Sequence, residues 1–138
     1  MVIDTSVLIA IVENEAESHI FLQKIAEASS ISLSAASFVE ASLVTAGSTN
    51  DEALSRLDAV IEASDIWIEP VSLEDAKLAR EAFLRFGKGR HPAGLNLGDC
   101  FSYALAKRLG EPLLFKGNGS PRRTLCGLRV WWTRRPAA

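Results

Sequence analysis

The sequence predicts an α/β fold in which a parallel β-sheet is covered by helices on both faces. Two observations lead to this prediction: short apolar segments typical of buried strands, and longer segments with helical spacing between them. Strands that alternate with helices are joined by crossovers, which make neighbouring strands parallel. With 138 residues, 48% of them hydrophobic, the chain is expected to form one domain with a substantial core.

Four short segments are predicted to form the strands of this sheet. Each is apolar and is bounded by polar or turn residues, which is the pattern of a buried strand. The expected strands are 1–4, 31–34, 66–70 and 112–115. Trp67 lies inside the third strand, so we expect its side chain to pack in the core.

Six segments between the strands have the apolar spacing or the capping residues of helices. The expected helices are 5–13, 15–28, 35–46, 51–63, 72–86 and 97–109. Asn50 or Asp51 is the expected N-cap of the fourth helix. Ser72 and Asp75 form a capping box at the start of the fifth helix, and Asn96 caps the sixth.

Charge and composition exclude several classes of protein. The formal net charge is -2, so nucleic-acid binding would rely on a local basic patch or on bound cations. Cys100 and Cys126 are too few for a disulfide framework and lack the spacing of a zinc site. We therefore expect a cytoplasmic protein. No segment has the length of a membrane span or the pattern of a signal peptide.

Three acidic residues lie near the ends of predicted strands. Asp4 ends the first strand, Glu40 follows the second within a stretch of apolar or small residues, and Asp99 begins the helix before the fourth. Each also has an ordinary structural interpretation. Asp4 can cap a helix, Glu40 can face solvent, and Asp99 is favoured by the helix dipole. For each residue alone, both interpretations stay open.

Together, the three acids predict a metal site. In parallel α/β sheets, sites form beyond the carboxyl ends of the strands, which Asp4, Glu40 and Asp99 can all reach. Three carboxylates repel one another unless a cation neutralises them. Oxygen ligands select Mg²⁺ or Mn²⁺ over zinc. Such a site can activate water and stabilise the charge that develops in phosphodiester cleavage.

Four segments also carry a resemblance to a known family. They are Val-Ile-Asp-Thr-Ser-Val-Leu at 2–8, Ser-Phe-Val-Glu-Ala-Ser at 37–42, Gly-Leu-Asn-Leu-Gly-Asp-Cys-Phe-Ser-Tyr-Ala-Leu-Ala at 94–106, and Leu-Leu-Phe-Lys-Gly-Asn at 113–118. In order and interval they resemble the motifs of VapC-type PIN-domain ribonucleases, the toxins of bacterial toxin–antitoxin pairs. The resemblance covers about residues 1–118, and the 94–106 segment is its most specific part.

The resemblance implies a PIN-like three-layer α/β/α sandwich with a central parallel sheet. It also implies an endoribonuclease that uses Mg²⁺ or Mn²⁺ to cleave single-stranded or structured cellular RNA. Such proteins form homodimers and are inhibited by a cognate antitoxin protein. By carry-over, Asp4, Glu40 and Asp99 are the catalytic metal ligands. Ser6 would orient Asp4 by a hydrogen bond, or would otherwise serve the start of the helix.

The sequence departs from the family pattern after Asn118. An acid and an aromatic residue usually follow there, whereas this chain has Gly119 and Ser120. Asn118 can offer only a neutral oxygen in place of the acid. We expect one PIN-like domain over 1–138 with an atypical tail at 119–138; a native tail and a frameshift near residue 119 both remain open. The missing acid motivates an alternative function, a non-catalytic PIN-like binding protein.

A basic loop lies between the fifth and sixth predicted helices. Arg85, Lys88 and Arg90 are candidates for contacts with RNA phosphates, and an ordinary solvated loop is the open alternative. A receiver-like phosphoacceptor domain is a further hypothesis. It expects an acceptor aspartate directly after the third strand, where this chain has Glu69 followed by proline.

Overall fold

The computed structural model describes residues 1–117 and the backbone of a two-residue strand in the tail. The strands in chain order are β1 (Val2–Ile3), β2 (Ile31–Ser34), β3 (Ile66–Glu69), β4 (Leu113–Phe115) and β5 (Arg129–Val130). They form one sheet in the order β3-β2-β1-β4-β5. The first four strands pair in parallel, and β5 pairs antiparallel with β4. The predicted parallel strands are confirmed, and β5 is an addition that the sequence analysis does not predict.

The helices of the described residues are α1 (Thr5–Val12), α2 (Ser18–Glu27), α3 (Ala35–Ala46), α4 (Ala53–Ala63), α5 (Leu73–Phe86) and α6 (Leu97–Leu109). The six predicted helices are confirmed, with shifted ends. α2 begins at Ser18 rather than at residue 15, after a turn in which Asn14 has a positive φ of 51°. α4 lacks the predicted side-chain cap, because Asn50 instead accepts a hydrogen bond from the Glu52 amide at 3.0 Å. No helix in this part of the chain is both long and apolar enough to cross a membrane.

Alternate residues of the central strands face two different helical layers. Ile3, Leu33 and Leu114 are buried in a cluster with residues of α1, α2, α3 and α4. Val2 and Leu113, their neighbours along the strands, are buried with residues of α6. Because successive side chains of a strand point to opposite faces, helices cover both faces of the sheet. The predicted three-layer α/β/α sandwich is therefore confirmed.

Helices α5 and α6 pack on each other and begin with matching capping boxes. Ser72 and Asp75 form the predicted box of α5. Asn96 caps α6 as predicted, and its partner in a second box is Asp99, which the sequence analysis does not predict. Arg108, near the end of α6, donates a hydrogen bond of 2.7 Å to Asp75. Burial raises the pKa of Asp75, but hydrogen bonds from Arg108 and Ser72 outweigh it and hold the pKa below its usual value. This ion pair anchors the helix that carries Asp99.

The prediction that Trp67 packs in the core is wrong. Its side chain is 67% exposed, whereas Ile66 is buried and Ile68 packs against the core. β3 is an edge strand, and alternation turns Trp67 to the face opposite α1–α4. On that face α6 packs against β1, β2 and β4, and the Trp67 side chain extends beyond this cover.

Candidate active site

Asp4 lies directly after β1, the third of five strands across the sheet, and is 5% exposed. It caps α1, because its Oδ2 accepts a hydrogen bond of 3.0 Å from the Ser6 amide. Its Oδ1 accepts a second hydrogen bond, of 2.6 Å, from the Ser102 hydroxyl. The capping interpretation of Asp4 is therefore confirmed. The same contacts fix its carboxylate at the carboxyl end of β1.

Two buried hydroxyl groups support Asp4 from within the protein. Ser102 on α6 and Ser37 on α3 are fully buried, and their hydroxyl oxygens lie 3.0 Å apart. Among the described residues, no buried polar side-chain atom lacks a hydrogen-bond partner. The two serines thus join α3, α6 and the end of β1 around Asp4. The sequence analysis did not predict either serine as a site residue. The signal that could have revealed them is a small polar residue within each of two otherwise apolar helical segments.

Glu40 is half-buried on α3 and is held by a hydroxyl group of α1. The Thr5 hydroxyl donates to Glu40 Oε2 at 3.3 Å and also lies 3.1 Å from the Ser37 carbonyl oxygen. Burial and the charge of Asp4 raise the pKa of Glu40 above its usual value. Asp99 adds to the rise, and the Thr5 hydrogen bond opposes it. Glu40 is therefore not an ordinary solvent-facing carboxylate.

Asp99 takes part in the capping box at the start of α6. The Asp99 backbone amide donates a hydrogen bond of 2.9 Å to Asn96 Oδ1. Asp99 Oδ2 accepts one of 3.0 Å from the Asn96 backbone amide. Burial is the largest effect on Asp99 and raises its pKa, whereas the hydrogen bond from the Asn96 backbone amide lowers it. The charge of Asp4 raises it further, and the net result is a pKa above the usual value. The helix-start interpretation of Asp99 is confirmed, and its carboxylate is also electrostatically coupled to Asp4.

The three carboxylates line one cleft of about 580 Å³. Lys88, Asn96 and residues 92–94 border it from the α5–α6 loop, and Lys116 borders it from the segment after β4. The fold therefore brings Asp4, Glu40 and Asp99 to one place, as their positions in the sequence predict. Asp4 enters from the sheet, Glu40 from α3 and Asp99 from α6.

The donor chemistry of the cleft fits a hard divalent cation. Carboxylate oxygens are the ligands that Mg²⁺ and Mn²⁺ prefer. Burial and the charge of Asp4 raise the pKa of both Glu40 and Asp99, so a cation between the acids would relieve their repulsion. Within residues 1–117, no three acidic, histidine or cysteine side chains stand in a ready-made metal-binding arrangement.

Comparisons with known proteins identify the family. The PIN domain family model matches residues 1–123. VapC ribonuclease Mb0625 of Mycobacterium bovis is 48% identical over 120 residues, covering 86% of this chain and 90% of that protein. Ribonuclease VapC of Mycolicibacterium smegmatis is 43% identical over 117 residues, covering 85% and 91%. The chain belongs to the VapC ribonucleases of the PIN-domain family.

Solved structures share the fold of this PIN domain. Mycobacterium tuberculosis VapC20, described as a Sarcin-Ricin loop cleaving toxin, has a TM-score of 0.69 at 15% identity over 93% of this chain and 98% of that chain. A toxin-antitoxin complex from Klebsiella pneumoniae has a TM-score of 0.63 at 18% identity, covering 91% and 92%. At these identities the likeness concerns the fold alone, and it confirms the predicted PIN-like architecture.

Ser6 forms the predicted hydrogen bond with Asp4 through its backbone amide, and its hydroxyl has a second role in this PIN domain. Its hydroxyl accepts a hydrogen bond of 2.9 Å from the Lys116 amide, and only its backbone amide binds Asp4. Since β4 pairs with β1, the residue after β4 comes within reach of the Ser6 side chain. The Ser102 hydroxyl supplies the second hydrogen bond that orients Asp4. Asn118, the other predicted supporting residue, lies outside the described residues.

The three basic candidates for RNA contact differ in their surroundings. Lys88 lines the cleft, and its amide is held within the loop by a backbone hydrogen bond. Arg85 forms an ion pair of 3.7 Å with Glu81. The Arg90 guanidinium lies 5.6 Å from the centre of the Phe83 ring. Lys88 is therefore the one of the three that the structure brings to the carboxylates.

Two other residues of this PIN domain near the acids have ordinary roles. Burial, together with the charge of Asp99, raises the pKa of the Cys100 thiol to about 11, so Cys100 is a packing residue. Lys116 forms ion pairs with Glu15 and with Glu17, the latter at 3.4 Å. Its hydrogen bond with Glu15 raises the pKa of Lys116. The Lys116 charge is thus compensated by these two acids.

Proposed function

We propose that this PIN domain is an endoribonuclease toxin that cleaves RNA with Mg²⁺ or Mn²⁺ bound by Asp4, Glu40 and Asp99. The observation that carries the proposal is the convergence of these carboxylates on one cleft beyond the end of β1. The relatives, which are named VapC ribonucleases, support the reaction. The description of VapC20 supports a structured cellular RNA as one class of substrate, beside single-stranded RNA.

The residues of the cleft prepare it for a cation and a phosphodiester. A bound divalent cation supplies an activated water and positive charge beside the scissile phosphate. Asp4 is held in one orientation by the Ser6 amide and the Ser102 hydroxyl, and Thr5 holds one oxygen of Glu40. These hydrogen bonds limit the movement of Asp4 and Glu40 before a cation binds, which favours catalysis.

Lys88 is our proposed contact for an RNA phosphate at the cleft. The net charge of -2 gives the protein no general attraction for RNA, so a local cation is needed. Lys88 lies in the cleft wall and has no ion pair among the described residues. Arg85, in the last turn of α5, contacts Glu81, and Arg90, within the α5–α6 loop, contacts Phe83. Both are exposed, and we propose them as further, more distant contacts for RNA phosphates.

We also propose a cognate antitoxin as partner, and a homodimer, both acting in the cytoplasm where cellular RNA lies. The Klebsiella pneumoniae structure with this fold is a toxin-antitoxin complex, which supports the antitoxin. Three apolar side chains of α3 are exposed: Val39 by 52%, Leu43 by 69% and Val44 by 48%. Clustered apolar exposure of this kind is typical of surfaces that bind another protein.

A non-catalytic RNA- or antitoxin-binding protein is the second candidate function. One observation favours it: the family's usual acid is replaced by Gly119. Metal-dependent turnover distinguishes the two candidates, because both predict binding and only the first predicts cleavage.

The proposed function is tested by incubating the purified chain with total RNA and Mn²⁺. Wild type should cleave, and Asp99→Asn should not, because asparagine can still accept the capping hydrogen bond but lacks the charge. Glu74→Gln is the control, since Glu74 is an exposed acid in the first turn of α5 and its loss should leave cleavage unchanged. If Asp99→Asn cleaved RNA at the wild-type rate, Asp99 would be a capping residue and not part of the catalytic site. RNA binding without cleavage at any Mn²⁺ concentration would favour the second candidate.

A further inference from the structure

Gly98 lies in the first turn of α6, directly before Asp99, and faces the Glu40 side chain. A β-carbon added to Gly98 would overlap the Glu40 carboxylate, at 2.5 Å from Cδ and 2.9 Å from Oε1. Real β-carbons essentially never approach other heavy atoms closer than 3.0 Å. The carboxylate therefore occupies the space that any other residue at position 98 would need.

The backbone gives no other reason for glycine at this position. Gly110, which ends α6, has a φ of 65°, a conformation that favours glycine. Gly98 has no such positive φ and lies within the helix, where alanine is the better helix former. Glycine at position 98 thus weakens the helix, and what it provides is room for Glu40.

We infer that Gly98 is a positioning residue, whose missing side chain lets the Glu40 carboxylate lie beside Asp99 in the cleft. The overlapping atoms are the far end of a flexible side chain, so alanine at position 98 would turn Glu40 aside rather than unfold the helix. The displaced carboxylate would also lose its hydrogen bond from Thr5. As regards metal binding, this inference rests on the proposed function.

The contact is tested first without metal, by a double-mutant cycle of Gly98→Ala and Glu40→Ala. In the Glu40→Ala background, Gly98→Ala should raise the melting temperature because alanine favours the helix. In the wild-type background the rise should be smaller or reversed, because the carboxylate must move. The same change in melting temperature in both backgrounds would overturn the inference.

Mn²⁺ calorimetry on the same variants is the second arm. Gly98→Ala should raise the Mn²⁺ dissociation constant roughly 10–100-fold, the usual effect of disturbing a ligand's support. Gly98→Ala should cause no further loss in the Glu40→Ala background. Gly47→Ala, at the end of α3, is the matched control: its β-carbon would lie an acceptable 3.4 Å from the Leu43 carbonyl oxygen, and Mn²⁺ affinity should match wild type.

The outcomes separate this inference from the proposed function. If wild type binds Mn²⁺ through Glu40 and Gly98→Ala binds it equally well, the inference is wrong and the proposed function stands. If wild type binds no Mn²⁺, the proposed function fails, and the metal-free cycle alone decides whether Gly98 positions Glu40. A loss of affinity without loss of folding, dependent on Glu40, is the result that we expect.

Discussion

Glu40 carries its charge in surroundings that disfavour it. Burial and the neighbouring charge of Asp4 raise its pKa, and Asp99 adds to the rise. A carboxyl group whose pKa is raised on folding destabilises the folded protein while it is ionised. In the metal-free protein Glu40 therefore costs stability, and a bound cation would offset that cost. The same residue that weakens the fold is the one proposed to hold the metal.

We predict that Glu40→Gln stabilises the metal-free protein at neutral pH. The gain should be on the order of 1 kcal/mol or less, because solvent screens a half-buried charge. This gain in unfolding free energy should be complete above the raised pKa of Glu40 in the folded protein. It should disappear as the pH falls to the pKa of Glu40 in the unfolded chain, about 4.3. Urea denaturation with a chelator, over a range of pH, measures the difference. A metal-free variant less stable than wild type at neutral pH would contradict the electrostatic account.

The sequence predicts the three acids but not the buried serines that support Asp4 from α3 and α6. Asp4, Glu40 and Asp99 stand out because each follows or precedes a predicted strand. Ser102 and Ser37 lie 65 positions apart, and only the packing of α6 on α3 brings their hydroxyls together. For Ser6 the sequence predicted the hydrogen bond with Asp4 but not the contact of its hydroxyl with the Lys116 amide, which depends on the pairing of β4 with β1.

Among the helices, α6 contributes most directly to the site. Asp99 and Ser102 are three positions apart, so they lie on one face of the helix, and both are directed at the end of β1. Helix spacing and capping residues in the sequence predicted where α6 begins and ends. The exposed position of Trp67 was not predictable in this way, because no local pattern reveals that β3 lies at the edge of the sheet.

We predict that Ser102→Ala loosens the junction of α3, α6 and β1. The change removes the buried donor to Asp4 and leaves the Ser37 hydroxyl without its partner. Losing a buried hydrogen bond to a charged group should cost about 1–3 kcal/mol of unfolding free energy. Urea denaturation measures it, with Ser42→Ala as control, because Ser42 only bonds back to the Phe38 carbonyl within α3.

The control should stay within about 0.5 kcal/mol of wild type. If Ser102→Ala proves as stable as Ser42→Ala, the hydroxyl pair does not hold Asp4 in solution. Threonine at position 102 keeps a hydroxyl, so Ser102→Thr should retain more Mn²⁺ affinity than Ser102→Ala if the hydroxyl is what matters.

At the scale of the whole molecule, the strand order creates the site. β1 lies between β2 and β4. After β1 the chain adds β2 and β3 on one side of it, and then crosses back to add β4 on the other side. Ligand clefts in α/β sheets form at such a reversal of strand order. Asp4 follows this strand, and α3 and α6 bring Glu40 and Asp99 from the neighbouring crossovers. The sequence predicts parallel strands from their alternation with helices. Their lateral order depends on packing between distant segments, which no local pattern encodes.

The central claim, that three carboxylates hold a divalent cation, is tested most directly by calorimetric titration of Mn²⁺ into wild type and Asp4→Asn. Asparagine is a good N-cap: its Oδ1 can accept the hydrogen bond from the Ser6 amide, and its side-chain nitrogen can donate to the Ser102 hydroxyl, which can in turn donate to Ser37, so the variant should fold. Asp58→Asn, at an exposed position of α4, is the control. We predict that wild type and Asp58→Asn bind Mn²⁺ with the same affinity and that Asp4→Asn binds at least about tenfold more weakly. No binding to wild type, or equal binding to Asp4→Asn, would contradict the account.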